Sequence, residues 1–99
     1  GIGLITLTSD EVTSVCPITG QPDFYTVTIE YEPDKKCIES KSLKLYLFHF
    51  RDRPGYCEEM AVVIRQKVET VVEPKFVSVS VIQKPRGGIE IEATSQSGD

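Results

Sequence analysis

Cys16 stands directly before Pro17, and Asp23 follows seven positions later in Cys16-Pro17-Ile18-Thr19-Gly20-Gln21-Pro22-Asp23. Two prolines and a glycine in eight residues make this an ordered turn, neither strand nor helix. Gly20 gives the turn backbone angles that other residues avoid, while Pro17 and Pro22 restrict the rest. Such a turn brings a carboxyl group back toward a sulfur. A thiolate can attack an electrophilic carbon while the carboxyl group handles the proton. The plain alternative is a small buried cysteine beside a turn-forming aspartate, and spacing alone favours it.

A second cluster is Glu39-Ser40-Lys41-Ser42-Leu43-Lys44-Leu45-Tyr46, which straddles the start of a helix. Ser40 or Ser42 is expected to cap that helix, leaving upstream N–H groups free to meet an anion. Lys41 and Lys44 are three apart, so both lie on one side near the positive helix end. A phosphate-bearing ligand would find both; an ordinary capped helix with solvated lysines explains them equally. Pro85-Arg86-Gly87-Gly88 sets an arginine beside two glycines in a hairpin loop, where it could fork onto a phosphate. Plain hairpin chemistry accounts for the same glycines. Tyr56-Cys57-Glu58-Glu59 opens a second helix, and a carboxylate there can accept two parallel N–H bonds from a guanine-like edge. Acidic residues also favour helix starts for electrostatic reasons alone. His49, the single histidine, lies in an apolar run and reads as a core or interface residue.

These residues need elements to hold them. Leu4 to Thr8 reads as a short strand, and Ser9 to Ser14 as a polar connection. Phe24 to Tyr31 alternates with strand period. From Ser42, Leu43, Leu47 and Phe50 recur at helical spacing until Pro54-Gly55 stops the run. A second helix fits Glu58 to Val72, with Met60, Ile64, Val68 and Val71 on one face and Pro74 beyond its end. Lys75 to Gln83 alternates again, and Pro85-Arg86-Gly87-Gly88 joins it to a last strand, Ile89 to Ala93. Thr94 to Asp99 reads as a frayed polar tail. The order ββααββ predicts an α+β fold, with two helices inserted between two antiparallel hairpins of a four-stranded sheet. Helices cover one face of such a sheet and leave two edge strands open. Edge-to-edge pairing between copies then predicts a ring-forming homo-oligomer.

Length and charge narrow the function. The 99 residues form a single domain, 1–99, large enough for a core but with little room for an enclosed cofactor. A hydrophobic fraction of 39% and a charged fraction of 26% exclude disorder and collagen-like chains. No apolar run approaches the roughly 18 residues of a membrane span, so no membrane partner is expected. The start Gly1-Ile2-Gly3 has no basic region, so no signal peptide is expected. A net charge of -4 does not suit phosphate neutralisation, and no direct nucleic-acid partner is expected. Three cysteines, Cys16, Cys37 and Cys57, fit neither a disulfide framework nor a paired-cysteine zinc site. No metal is expected, and a reducing cytoplasmic location is.

Taken together, Cys16 to Phe24 and Glu39 to Tyr46 closely resemble the QueF family, the NADPH-dependent 7-cyano-7-deazaguanine reductases of queuosine biosynthesis, a tRNA modification. Phe50-Arg51, Glu58 and Pro85-Arg86-Gly87-Gly88-Ile89 follow in the family's order, so the resemblance runs from about Val12 to Ile91. It implies the tunnelling fold, assembled as rings in stacked pentamers. It implies Cys16 as the nucleophile that forms a covalent thioimidate with the nitrile carbon, and Asp23 as the acid/base at the nitrile nitrogen. Glu58, Tyr56 and Glu39 would hold the deazaguanine ring. Ser40, Lys41, Lys44, Arg86 and Gly87 would meet the phosphates of NADPH, the implied cofactor.

The chain departs from the family's pattern twice. Cys57 occupies the position where the family usually has histidine, which implies either a poorer proton carrier, a disulfide partner for Cys16, or a space-filling substitute. Only fifteen residues precede Cys16, fewer than in typical one-domain members. One rival reading is the amidine-forming branch of the family, which adds ammonia to the nitrile base in tRNA during archaeosine synthesis. Another is a non-catalytic oligomeric module holding a purine- or pterin-like ring through Glu58.

Overall fold

The computed structural model describes residues 3–98, apart from the side chain of Arg86. Its elements are β1 (Ile5–Val15), β2 (Pro22–Glu32), α1 (Ser40–Phe48), a 3-10 turn (His49–Asp52), α2 (Cys57–Val72), β3 (Phe76–Arg86) and β4 (Ile89–Gln96). The four strands form one antiparallel sheet in the order β1-β2-β3-β4. This is the expected ββααββ arrangement. No described helix is long and apolar enough to cross a membrane.

Strand period decides which face is covered. Tyr25, Val27, Ile29 and Tyr31 of β2 and Val77, Val79 and Val81 of β3 are buried, while the intervening Thr26, Thr28, Ser78 and Ser80 are not. α2 packs on the apolar face, across β3 and β4, through Met60, Ala61, Ile64, Val68 and Val72. Removing the Met60, Ile64, Val68 and Val72 side chains from water contributes about 1.5–3 kcal/mol each. The face expected to include Val71 includes Val72 instead, and Val71 is 52% exposed. The two are one residue, or about 100°, apart around the helix, so only one can face the sheet.

β1 is longer than its hydrophobic pattern suggests. Before residues 10–11, Ile5, Leu7 and Ser9 lie on the helix-facing side; after them it is Val12 and Ser14. The register shifts between Ser9 and Val12, where β1 carries one extra residue opposite β2. The bulge exchanges inward and outward positions, so Ser9 to Ser14 is strand and not a connection. The final segment departs likewise. β4 runs to Gln96, not Ala93, because Arg65 Nε donates to Ser95 Oγ at 2.7 Å and Ser97 Oγ and the Val77 backbone exchange bonds at 2.9 and 3.2 Å. Arg65 also pairs with Glu69. The tail is not frayed through Gly98; Asp99 lies outside the described residues.

The connections hold the starts of the two helices at opposite ends of the sheet. Tyr31 Oη accepts the Ile38 N–H at 2.9 Å, anchoring the approach to α1 at the far end of β2. The segment between the 3-10 turn and α2 is tied to the near end. There Val15 N–H donates to Arg53 O at 3.2 Å, and Gly55 N–H donates to Val15 O at 3.4 Å. The β3–β4 hairpin turns on Gly87 and Gly88, with φ of 60° and 81°, so Arg86 belongs to β3 and not to the loop. His49, on the 3-10 turn, is exposed and is not a core histidine.

Candidate active site

The bulge in β1 sets the site. It leaves Ser14, two residues before Cys16, on the helix-facing side beside Asp23 and Tyr25 of β2. Ser14 and Asp23 are cross-strand partners, and the loop from Cys16 to Gln21 joins their strands. Cys16 N–H donates to Gln21 O at 2.8 Å, and Gly20 N–H donates to Cys16 O at 2.9 Å. Gln21 N–H donates to Thr19 Oγ1 at 3.2 Å. Gly20 has φ of 75°, a conformation that a β-carbon would strain. The ordered turn thus brings the carboxyl group back toward the sulfur.

Cys16 is partly exposed, whereas Asp23 is buried. The Thr19 hydroxyl, and then the Thr19 and Ile18 amides, lower the Cys16 pKa by bonding to its sulfur. Partial desolvation and the Asp23 charge oppose that shift without reversing it. The turn therefore favours the thiolate, the form that attacks carbon.

α2 begins beside this turn. Tyr56 is exposed at its N-cap without capping by its side chain, and Glu58 is exposed in the first turn. Cys57, between them, points the other way. It is 2% exposed, and its Sγ donates to Val81 O at 3.1 Å. Burial, then the Glu58 charge, raises its pKa. It is a core thiol, with the position of a space-filling residue, and all three cysteines are free.

The second cluster lies elsewhere. Asp23 and Tyr31 are separated by roughly 26 Å along β2, and Glu39 follows directly on Ile38 at the Tyr31 end. Ser40, Lys41 and Glu39 are therefore not brought to Cys16 within one chain; Lys44 lies one turn further along α1. Neither serine caps α1. Glu39 does, accepting from Lys41 N–H at 2.5 Å, Ser42 N–H at 3.3 Å and Ser42 Oγ at 3.0 Å. The Lys41 amide, then the Ser42 hydroxyl, lowers the Glu39 pKa against slight desolvation, with the Ser42 amide adding to the effect. These helix-end amides are consequently taken by a carboxylate and not open to an anion. Any phosphate would meet the lysine side chains; Lys41 and Lys44 are exposed, and neither forms an ion pair among the described residues. Gly87 lies at the Cys16 end, since β3 passes the start of β2, while the Arg86 side chain lies outside the described residues.

A sequence profile described as QueF-like protein matches residues 22–99. The chain belongs to this family. A QueF-family relative from Parabacteroides distasonis, named NADPH-dependent 7-cyano-7-deazaguanine reductase, is 51% identical over 81 residues, covering 82% of this chain and 52% of that protein. One of the same name from Methylorubrum extorquens strain PA1 is 44% identical over 96 residues, covering 97% of this chain and 63% of that protein. The chain thus spans about half to three-fifths of the length of these relatives. The crystal structure of the archaeosine synthase QueF-Like in the apo form is similar at a TM-score of 0.92 and 31% identity, covering 100% of this chain and 97% of that one.

Two residues at the site were not singled out by sequence reasoning. Ser14 Oγ donates to Tyr25 Oη at 2.9 Å, deep beneath Cys16 and Asp23. The alternation from Phe24 to Tyr31 placed Tyr25 on one face of a strand. Nothing in the sequence pattern sets Ser14 on the same face, diagonal to Tyr25, because the bulge is not visible there.

Proposed function

We propose that this chain carries the chemistry of a QueF reductase, converting the nitrile of 7-cyano-7-deazaguanine to an aminomethyl group. The observation that carries the reading is the Cys16–Asp23 turn, where donors favour a thiolate next to a carboxyl group. The Cys16 sulfur forms a bond to the nitrile carbon, the π pair moves to nitrogen, and Asp23 supplies the proton that makes a thioimidate. NADPH, when bound, supplies two hydrides, the four electrons that separate a nitrile from a primary amine. Cys16 departs with the C–S electron pair after the first reduction and holds the half-reduced carbon until then. Glu58 and Tyr56 are the ring-holding residues beside the turn. Lys41 and Lys44 fit phosphate oxygens through their unpaired ammonium groups, with Ser40, Gly87 and Arg86 as further contacts.

The separation of Glu39, Ser40 and Lys41 from Cys16 supports a site completed by a second copy. The cleft beside Ser14 and Tyr56 is only about 40 Å³, and a groove of small-molecule size, about 370 Å³, lies instead at the Glu39 end. The reading therefore includes a ring-forming homo-oligomer, with stacked pentamers as its expected form, and a cytoplasmic location consistent with free thiols. Identity of 51% to a named reductase, and an intact Glu39-to-Tyr46 segment, favour reduction over amidine formation. Purified protein mixed with the nitrile should consume two NADPH per nitrile. Ammonia-dependent amidine formation without NADPH loss would instead select the archaeosine branch. Ring binding unaffected by Cys16→Ala, with no adduct in the wild type, would select the non-catalytic module.

A further inference from the structure

The Ser14–Tyr25 pair lies beneath the proposed nucleophile and acid, and the chemistry above gives it no task. Tyr25 is 0% exposed and Ser14 1% exposed. Burying two hydroxyls is favourable only when they are bonded, and a phenylalanine–alanine pair would fill a core without that requirement. With Ser14 as donor to Tyr25, the phenol keeps a proton of its own to give. Asp23 stands two residues from Tyr25 on the same buried face of β2 and is the cross-strand partner of Ser14, and Cys16 on the turn and Cys57 on α2 also act on the phenol. Burial, then the charges of these groups, raises the Tyr25 pKa against the Ser14 bond, so the phenol remains a neutral donor. On the opposite side, Ser14 lines the cleft of about 40 Å³ with Arg53, Gly55 and Tyr56. That volume is enough for a water, which needs about 10–15 Å³ of such space.

We propose that Ser14 and Tyr25 form a hydroxyl relay that resupplies the proton of Asp23 from this cleft. The inference rests on the reductase reading, in which nitrile reduction consumes two protons along with two hydrides. A proton enters Ser14 Oγ from cleft water as Ser14 passes its own to Tyr25 Oη, and Tyr25 passes its own to the Asp23 carboxylate. Each hydroxyl breaks one O–H bond and forms one, and no electrons change hands. The 2.9 Å separation of Ser14 Oγ and Tyr25 Oη is within reach of direct proton transfer. Neither hydroxyl touches the reacting carbon, so both are positioning residues that act through Asp23.

Tyr25→Phe and Ser14→Ala, in the full chain, test this with two readouts. Adduct formation without NADPH, followed by intact-protein mass spectrometry, needs one proton transfer and no resupply, and should stay within about twofold of wild type. Turnover with NADPH should fall at least about tenfold, given what general acid–base assistance is ordinarily worth. Its solvent isotope effect should rise, and a small buffer acid such as imidazolium should restore part of the rate. Ser14→Ala carries the same test should Tyr25→Phe not fold. Unchanged turnover and isotope effect would overturn the relay alone. So would parallel losses of adduct and turnover that the buffer acid does not rescue, because the pair would then be packing only. A wild type that captures no nitrile and consumes no NADPH would overturn the reductase reading, and the relay with it.

Discussion

At the scale of single residues, the site depends on donors around one sulfur. The Thr19 hydroxyl is the largest of the influences that lower the Cys16 pKa, so its loss should raise that pKa and reduce the thiolate fraction at neutral pH. Iodoacetamide alkylation of Cys16, followed against pH by peptide mass spectrometry, should show its midpoint moving upward in Thr19→Val. Alkylation at Cys37, exposed and remote from the turn, serves as the reference in the same digest. An unmoved midpoint would remove Thr19 from the account. Cys57 carries a different expectation. Because its side chain is enclosed and its Sγ faces Val81 O, Cys57→His must fit a larger polar ring into filled space. Such overpacking typically costs about 1–3 kcal/mol. The variant should therefore lose urea resistance by that amount. A Cys57→His protein as stable as wild type would mean that the site relaxes to accept the ring.

At the scale of elements, the side chains that face the sheet carry the stability. Ile64, fully enclosed, should lose about 2–5 kcal/mol on truncation to alanine, and Val72→Ala should also be clearly destabilising. Val71→Ala, at an exposed position, should stay within about 0.5 kcal/mol. Urea titrations of the three variants check the order, and a Val71 loss matching that of Val72 would contradict the packing described. The strand β2 and both helices were legible because Phe24 to Tyr31 has period two and Met60, Ile64 and Val68 have helical spacing. What sequence did not reveal were side-chain events between distant positions. Arg65 reaching Ser95 lengthens β4, Glu39 displaces either serine as the α1 cap, and the β1 bulge turns a polar stretch into strand. The turn that joins Cys16 to Asp23 was legible from Pro17, Gly20 and Pro22. The distance between that pair and Glu39 was not, because only the full length of β2 sets it.

At the scale of the whole molecule, the separated clusters predict sharing between chains. Cys16→Ala leaves the α1 cluster intact, and Lys41→Ala leaves the turn intact. If one copy's α1 completes another copy's turn, an equimolar mixture of the two impaired variants should regain activity once subunits exchange. Random mixing in a closed ring gives about one quarter of sites both intact parts. NADPH absorbance before and after exchange, with light scattering to report mass, measures this. Recovery should be absent if each chain works alone, and an active monomer would dispose of the shared site altogether.

The extra residue near positions 10–11 works like a phase marker within β1. Upstream of it, odd positions face the helices; downstream, even positions do. Removing Glu11 would therefore not simply shorten a strand. With the pairing upstream fixed, it would put the phases of the two halves in step, keeping Val12 opposite Tyr25 and Ser14 opposite Asp23 by plain alternation and abolishing the bulge. Length changes in pairs upstream of the marker would preserve the code, whereas single ones would scramble it. For anyone splicing this hairpin into another protein, the unbroken count from Val12 to the turn matters more than the identity of most residues in it.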